Sequence, residues 1–295
     1  MHLLLSTIAL RPYVFVFLLS FLFIAIVNFG LSTTLLFTTL TYAVGLSCEY
    51  SSVHNGFPFG LYHYVEATQG KEVWIFGVPL FDTISYTFLA FASYTLALLL
   101  CSPLYRRGGD LRVLDTWAIR RSPRVWLMAA FFMVMVDMVV DPLSVLGERW
   151  FLGRIFWYEP PGPYFGVPLS NFLGWYVVAA ISVAIFQALD FRLNRRGKPW
   201  GVLPALPWRG LLGPMLYAGI VTFGVTMLFI IHAAGIAWTG IFIFTPLAVM
   251  VLNTITRSES YGDVDAISRH LADFPFNRSA LGPVLIPAIH KVFTC

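Results

Sequence analysis

The chain has 295 residues, of which 58% are apolar and only 12% charged, against about 25% charged in an ordinary soluble domain. With a mean hydropathy of +0.76, this composition excludes a disordered chain, a nucleic-acid-binding domain and a soluble enzyme built of helices around a sheet, and describes a polytopic membrane protein. The formal net charge of +4 is too small to hold a nucleic-acid backbone, so the placement of charge matters more than its sum.

The N-terminus is apolar from its first residues and runs straight into a second hydrophobic stretch, which reads as a retained span rather than a cleaved signal peptide. Long apolar stretches follow at 12–29, 31–48, 77–101, 123–141, 166–189, 212–231 and 234–254, each near the roughly 20 residues that a helix needs to cross hydrocarbon. The first two are short and share a tight Asn28–Gly30 turn, which leaves a re-entrant hairpin open there. The expectation is an all-α polytopic bundle of seven spans, with six as the alternative count. A single transmembrane domain would cover 1–256 and a cytoplasmic or surface-lying tail 257–295. The Pro- and Gly-containing 281–287 stretch of that tail does not suit an eighth span.

Charge placement orients the bundle. The 101–124 loop carries six arginines against Asp110 and Asp115, and the 190–211 loop carries four arginines and Lys198 against Asp190, a net of +4 in each. The alternate loops, 48–76 and 141–166, net −2 and −1. By the positive-inside rule both basic loops face the cytoplasm, placing the N-terminus outside and the C-terminus inside a cell membrane. Arg11 argues weakly in the other direction.

One segment is echoed. Phe76-Gly77-Val78-Pro79-Leu80-Phe81-Asp82 returns 89 residues later as Phe165-Gly166-Val167-Pro168-Leu169-Ser170-Asn171, and at the same shift Tyr86 falls on Trp175. Two spans and two loops separate the copies, so a duplication would be a parallel internal repeat. Gly-x-Pro followed by Asp or Asn also simply starts helices. Five identical residues in a row followed by Asp82 and Asn171 look more like paired walls of one cavity.

The candidate chemistry lies in and beside the outward loops. Asp137 and Asp141 are four residues apart, which puts both carboxyls on one helix face; Pro142 is expected to end that helix, leaving Asp141 near the rim and Asp137 one turn deeper. Carboxyls at membrane depth are costly and normally face a bundle interior, and a like-charged, desolvated pair retains the proton that general acid catalysis requires. A plain hydrogen-bond anchor between helices is the alternative, as helix capping is for Asp82. The loops add Glu49, His54, Glu66, Glu72, Glu148 and two aromatic strings, Pro58–Tyr64 and Phe156–Pro160, which contain Tyr62, His63, Tyr64, Trp157 and Glu159. Such aromatics usually sit at the lipid interface; facing a cavity they could stabilise a carbocation. His232, near the last turn, could line the same mouth. Cys48, Cys101 and Cys295 form no CxxC, the histidines are scattered, and no HExxH, GxGxxG or P-loop occurs, so neither a cofactor nor a metal site is expected.

Asp137-x-x-x-Asp141-Pro142 followed by Gly162-x-Tyr164-Phe165-Gly166-Val167-Pro168-Leu169-x-Asn171-Phe172-x-Gly174-Trp175 resembles the signature of the bacterial and archaeal carotenoid-biosynthesis membrane proteins. That family includes carotenoid 1,2-hydratases of the bisanhydrobacterioruberin hydratase kind, which act on acyclic ends. Pro58-x-Gly60-x-Tyr62-x-Tyr64 and Gly77–Leu80 resemble its other half-motif. The resemblance implies cofactor-independent addition of water to a terminal trisubstituted double bond of a carotenoid or related isoprenoid that enters from the bilayer, with other carotenoid-pathway enzymes as neighbours. In that scheme Asp137 protonates the less substituted carbon. Tyr62, Trp157 or Trp175 shields the tertiary cation, with His63, Tyr64, Glu66, Tyr164 and His232 as further substrate contacts. Asp141, Asp82 or Glu159 activates water, and Asn171 holds that water or a carboxylate. A membrane terpene or carotenoid cyclase would use the same cation, and a non-catalytic isoprenoid carrier the same greasy cavity.

Overall fold

The computed structural model describes residues 2–146, 155–195 and 199–281. Within them seven helices are long and apolar enough to cross a bilayer. A short α1 (His2–Leu10) breaks at Arg11, and Pro12 opens α2 (Pro12–Phe29) from a first-turn position where its missing N–H costs nothing. Gly30 closes α2 with φ of 88°, and a Cβ there would lie 2.4 Å from that of Pro199, so this turn needs glycine twice over.

α3 (Leu31–Asn55) has 25 residues, about 37 Å of helix, seven residues beyond the expected end at 48. That length removes the re-entrant hairpin and makes the first two spans full crossings. Glu49 and His54 therefore ride on a helix rather than in a loop. Its buried residues Thr34, Phe37, Thr41, Gly45, Glu49 and Ser52 form one stripe at helical spacing that runs unbroken past Cys48.

The remaining spans are α4 (Leu80–Cys101), α6 (Pro123–Val145), α7 (Leu169–Asn194), α8 (Leu212–Ile230) and α9 (Ala234–Thr256), with the single turn α5 (Trp117–Arg120) before α6. α4 is the central pillar, packed by α2, α3, α6 and α8, while α9 lies outermost against α6 and α8. Phe21, Phe37, Phe91 and Phe186 interlock beside α4, with Phe37 and Phe186 edge-to-face at 4.8 Å. The outward faces of α7 and α9 expose Leu169, Leu173, Ile181, Phe242 and Leu252, apolar surface suited to lipid.

α6 continues through Pro142 to Val145 instead of stopping there. Proline has no N–H to give the carbonyl four residues back. That carbonyl, Met138 O, instead accepts the Tyr164 hydroxyl at 3.1 Å, so a side chain from the next loop replaces the lost helix bond.

Strict alternation places the acidic loops at one end and the basic loops at the other. At the first end β1 (Tyr62–Tyr64) pairs antiparallel with β6 (Phe156–Tyr158), joining the two long loops, and β2 (Trp74–Ile75) pairs with β3 (Val78–Pro79) before α4. Arg11 is buried there in a two-pronged pair with Glu72, at 3.1 and 3.2 Å, with its guanidinium 4.0 Å over Phe81. At the basic end β4 (Leu104–Arg107) and β5 (Asp110–Val113) form a hairpin. The chain after α9 folds back onto it: Gly262 N donates to Leu104 O, and α10 (Val264–Asp273) sets Asp273 against the Trp117 N–H at 2.8 Å. The last described helix is α11 (Arg278–Leu281). Glu148, Lys198 and the 282–287 part of the tail stretch lie outside the described residues.

Candidate functional site: a buried carboxyl cluster under an aromatic cover

The two echoed segments build the same turn twice. Phe76 and Gly77 have φ of 52° and 79°, Phe165 and Gly166 of 50° and 92°. Each turn delivers a proline to the start of a helix, α4 or α7, and two residues into that helix stands Asp82 or Asn171. The matching residues one turn further on, Tyr86 and Trp175, meet ring to ring at 5.3 Å. The echo therefore supplies facing walls.

Between those walls lies a small cavity of about 20 Å³, room for about one water. Glu49 of α3, Asp82 of α4, Asp141 of α6 and Asn171 of α7 line it, with Phe59, Tyr62, Phe156, Tyr158 and Trp175 as its aromatic walls. Strand alternation sorts the cover: Tyr62, Tyr64, Phe156 and Tyr158 point inward, whereas Trp157 and His63 stack on the outer face at 4.7 Å. The preceding 56–60 loop presses directly onto α7, where a Cβ at Gly174 would sit 2.6 Å from Pro58 O.

Two hydrogen-bonded groups face each other across the cavity. On one side Asn171 Nδ2 donates to Asp137 Oδ2 and Asp141 Oδ2, both at 2.7 Å, and Tyr158 donates to Asp141 Oδ2 at 2.9 Å. Asn171 thus bridges the two carboxyls from α7 with its two amide hydrogens. On the other side the Tyr64 hydroxyl stands between Glu49 Oε2, at 3.2 Å, and Asp82 Oδ2, with the Tyr62 hydroxyl 3.4 Å behind it. Burial, and then the charges of Asp82 and Glu49, push the Tyr64 phenol well above its ordinary range. Burial and the Asp141 and Asp137 charges do the same to Tyr158. Both therefore remain neutral donors. Asn171 Oδ1 is buried with no partner among the described residues.

The structure brings together Tyr62, Tyr64, Asp82, Asp141, Asn171 and Trp175 of the residues singled out in the sequence. Asp137, expected to meet substrate directly, lies behind Asn171 and Asp141 and does not line the cavity. Glu159 and His63 form an exposed pair at 3.0 Å outside the cover, and Glu66 and His232 are exposed away from it. Tyr164 is engaged on the Met138 carbonyl. Glu49, expected only as one of several loop acids, and Tyr158, expected only within an aromatic string, are members to which the sequence assigned no role; the helical stripe through Glu49 and the period-two alternation of 156–158 carried the signal. Among the described residues no three His, Cys, Asp or Glu side chains are grouped to hold a metal ion.

No solved structure matches this chain. It is 29% identical over 223 residues to the bisanhydrobacterioruberin hydratase of Haloarcula japonica, an alignment that covers 69% of this chain and 62% of that protein. A family model described as carotenoid biosynthesis protein matches residues 1–251, which takes in six spans whole, α9 as far as Val251, and every residue of this cavity. The chain belongs to the carotenoid biosynthesis protein family.

Proposed function

We propose that this membrane protein hydrates a terminal C=C bond of an acyclic carotenoid or related isoprenoid by general acid catalysis, without a cofactor. The observation that carries the reading is the buried Asp137–Asp141 pair, bridged by Asn171, which meets a one-water cavity walled by aromatic rings; in this reading the pair shares one proton. The name of the Haloarcula japonica relative points the same way.

In this scheme Asp141 presents the shared proton to the less substituted alkene carbon, and Asp137 supplies it from behind. The alkene electron pair forms the new C–H bond and leaves a tertiary cation, which the rings of Tyr62, Phe156 and Trp175 stabilise. A water in the cavity has Asn171 Oδ1 as an acceptor for one hydrogen and attacks the cation; its second proton passes to the Asp82–Tyr64–Glu49 side and returns to Asp141 through the next water to enter the cavity, which restores the acid. The product is a tertiary alcohol, one water heavier than the substrate. The cavity is too small for a prenyl end, so substrate reaches it only when the aromatic cover parts from α7 toward the bilayer. The basic end of the bundle faces the cytoplasm in this reading, which puts the site at the opposite surface. Arg11, the one sequence feature against that orientation, is neutralised by Glu72.

The test is expression in cells that accumulate lycopene, with ¹⁸O-labelled water and mass spectrometry of the pigments. Hydration gives a product carrying one labelled oxygen, and Asp141→Asn abolishes it while the purified variant keeps its wild-type melting profile. A product of unchanged mass assigns cyclisation instead. Full turnover in Asp141→Asn removes the acid from its place.

A further inference from the structure

A second polar cavity lies at the opposite, basic end, under the folded-back tail. Its volume is about 50 Å³, enough for about three or four waters or for one tetrahedral oxyanion. Arg112, Arg120 and Arg209 line it together with Asp115, His270 and Asn277, so three guanidiniums from three separate loops and helix ends converge on one space.

Their existing partners leave one cation over. Arg112 is committed to Asp110 through Nε and Nη2 and to Pro204 O through Nη1. Arg120 gives Nε to Asp115 at 2.6 Å and lays its guanidinium on Phe274 at 4.2 Å. Arg209 donates Nη2 to Asn277 Oδ1 at 3.0 Å, while among the described residues its buried Nη1 has no partner and no carboxylate forms an ion pair with it. His270 adds no compensating or competing charge at neutral pH. Burial outweighs the nearby Asp115 carboxylate and holds the imidazole below its ordinary value. The neutral ring gives its Nδ1 hydrogen to Asp115 O at 2.6 Å and accepts Asn277 Nδ2 on Nε2 at 3.0 Å. That bond fixes the Asn277 amide so that its oxygen faces Arg209. Gly210 and Gly213, at the start of α8, complete the wall and set the positive end of a 19-residue helix toward the same space.

A guanidinium with a buried, unspent N–H donor is costly unless a partner completes it, and planar N–H forks match phosphate oxygens. We propose that this cavity is a phosphate-binding site in which Arg209 is the principal ligand, with Arg120 beside it. The anion is either the headgroup of an anionic phospholipid or a soluble phosphate. Because His270, Asn277 and Leu281 roof the cavity, the bound anion also ties the C-terminal segment to the bundle.

The experiment uses the full chain in a zwitterionic detergent, read by thermal unfolding and by limited proteolysis of the tail. Inorganic phosphate is titrated against chloride at equal ionic strength, and micelles doped with phosphatidylglycerol are compared with phosphatidylcholine. Wild type is expected to melt higher and lose its tail more slowly with phosphate, phosphatidylglycerol or both. Arg209→Gln should weaken that response by about ten- to hundredfold in concentration, as expected for a lost charge-assisted bond, and Arg209→Lys should restore part of it. A response to phosphatidylglycerol alone assigns the lipid headgroup, and one to phosphate alone a soluble anion. The comparison with chloride in wild type needs no variant. Equal responses to phosphate, phosphatidylglycerol and chloride there, or an undiminished response in Arg209→Gln, overturn the site.

Discussion

Asn171 spends both amide hydrogens on carboxyls, one on Asp137 and one on Asp141. Replacing it with leucine preserves most of the volume and removes both bonds, leaving two buried carboxyls without their shared donor. Each unmade buried bond costs about 1–3 kcal/mol, so Asn171→Leu should lose about 2–4 kcal/mol of stability, read as a lower melting temperature in detergent. Asn171→Asp keeps the shape but adds a third carboxyl to the pair; it should cost at least as much at neutral pH and recover on acidification, because protonation removes the repulsion. A variant as stable as wild type at neutral pH would mean that the Asp pair does not depend on Asn171. From the sequence, Asn171 was legible because the echo aligned it with Asp82, and Asp137 and Asp141 because of their spacing. Glu49 was legible only as a loop acid, not as a member of this cluster, because the hydropathy of its helix falls off after Cys48 while the buried stripe through Gly45, Glu49 and Ser52 continues. The depth order of the two aspartates was also legible, but which one meets the cavity depends on where α7 places Asn171.

At the scale of elements, helices were easier to read than covers. Apolar runs located the span ends within five residues, except the end of α3, which runs seven residues further. The β1–β6 ribbon, which decides that Tyr62 and Tyr158 face in and His63 and Trp157 face out, joins segments some 90 residues apart, and no local pattern encodes that register. The cover is held by close approach, and Gly174 is its weak point: an alanine Cβ would press on Pro58 O at 2.6 Å. Gly174→Ala should therefore cost about 1–3 kcal/mol and reduce product formation, with span content by circular dichroism unchanged. The tail offers a pH-dependent counterpart. His270 is buried and held below its ordinary value, so the unfolded or undocked form binds the extra proton. Docking is then complete above the ordinary histidine value of about 6.5 and weakens as pH falls below it. Burial alone would raise Asp115, but the Arg120 guanidinium and His270 outweigh it and hold its carboxyl below the ordinary value; its contribution is lost only in stronger acid. Limited proteolysis after Arg257 should thus accelerate between pH 7 and pH 5, and His270→Gln should flatten that dependence. Equal cleavage at both pH values would show that the imidazole does not govern docking.

For the whole molecule, the division into two chemically different ends is the property most fully written in the sequence. Loop charges of +4 and +4 against −2 and −1 alternate with the spans, and the fold gathers each set at one end: the carboxyl cluster under aromatics at one, the arginine cavity under the tail at the other. Folding also alters what those charges count for. Arg11 is paired with Glu72 inside the protein and Arg112 with Asp110, whereas Arg106, Arg107 and Arg121 form no ion pair among the described residues. The excess of cations at the basic end therefore survives pairing, and the positive-inside rule predicts that this end faces the cytoplasm. In a bacterial host, alkaline phosphatase fused after Gln69 or His232 should be active, and fused after Arg107 or Arg257 inactive, with a cytoplasmic fluorescent reporter giving the reverse pattern. The opposite result would place the carboxyl cluster on the cytoplasmic surface and the arginine cavity outside. The proposed hydration chemistry would be untouched by that inversion, because its groups are all internal, but the proposed phosphate site facing outward would lose access to soluble cytoplasmic phosphate and would have to draw its anion from the outer leaflet.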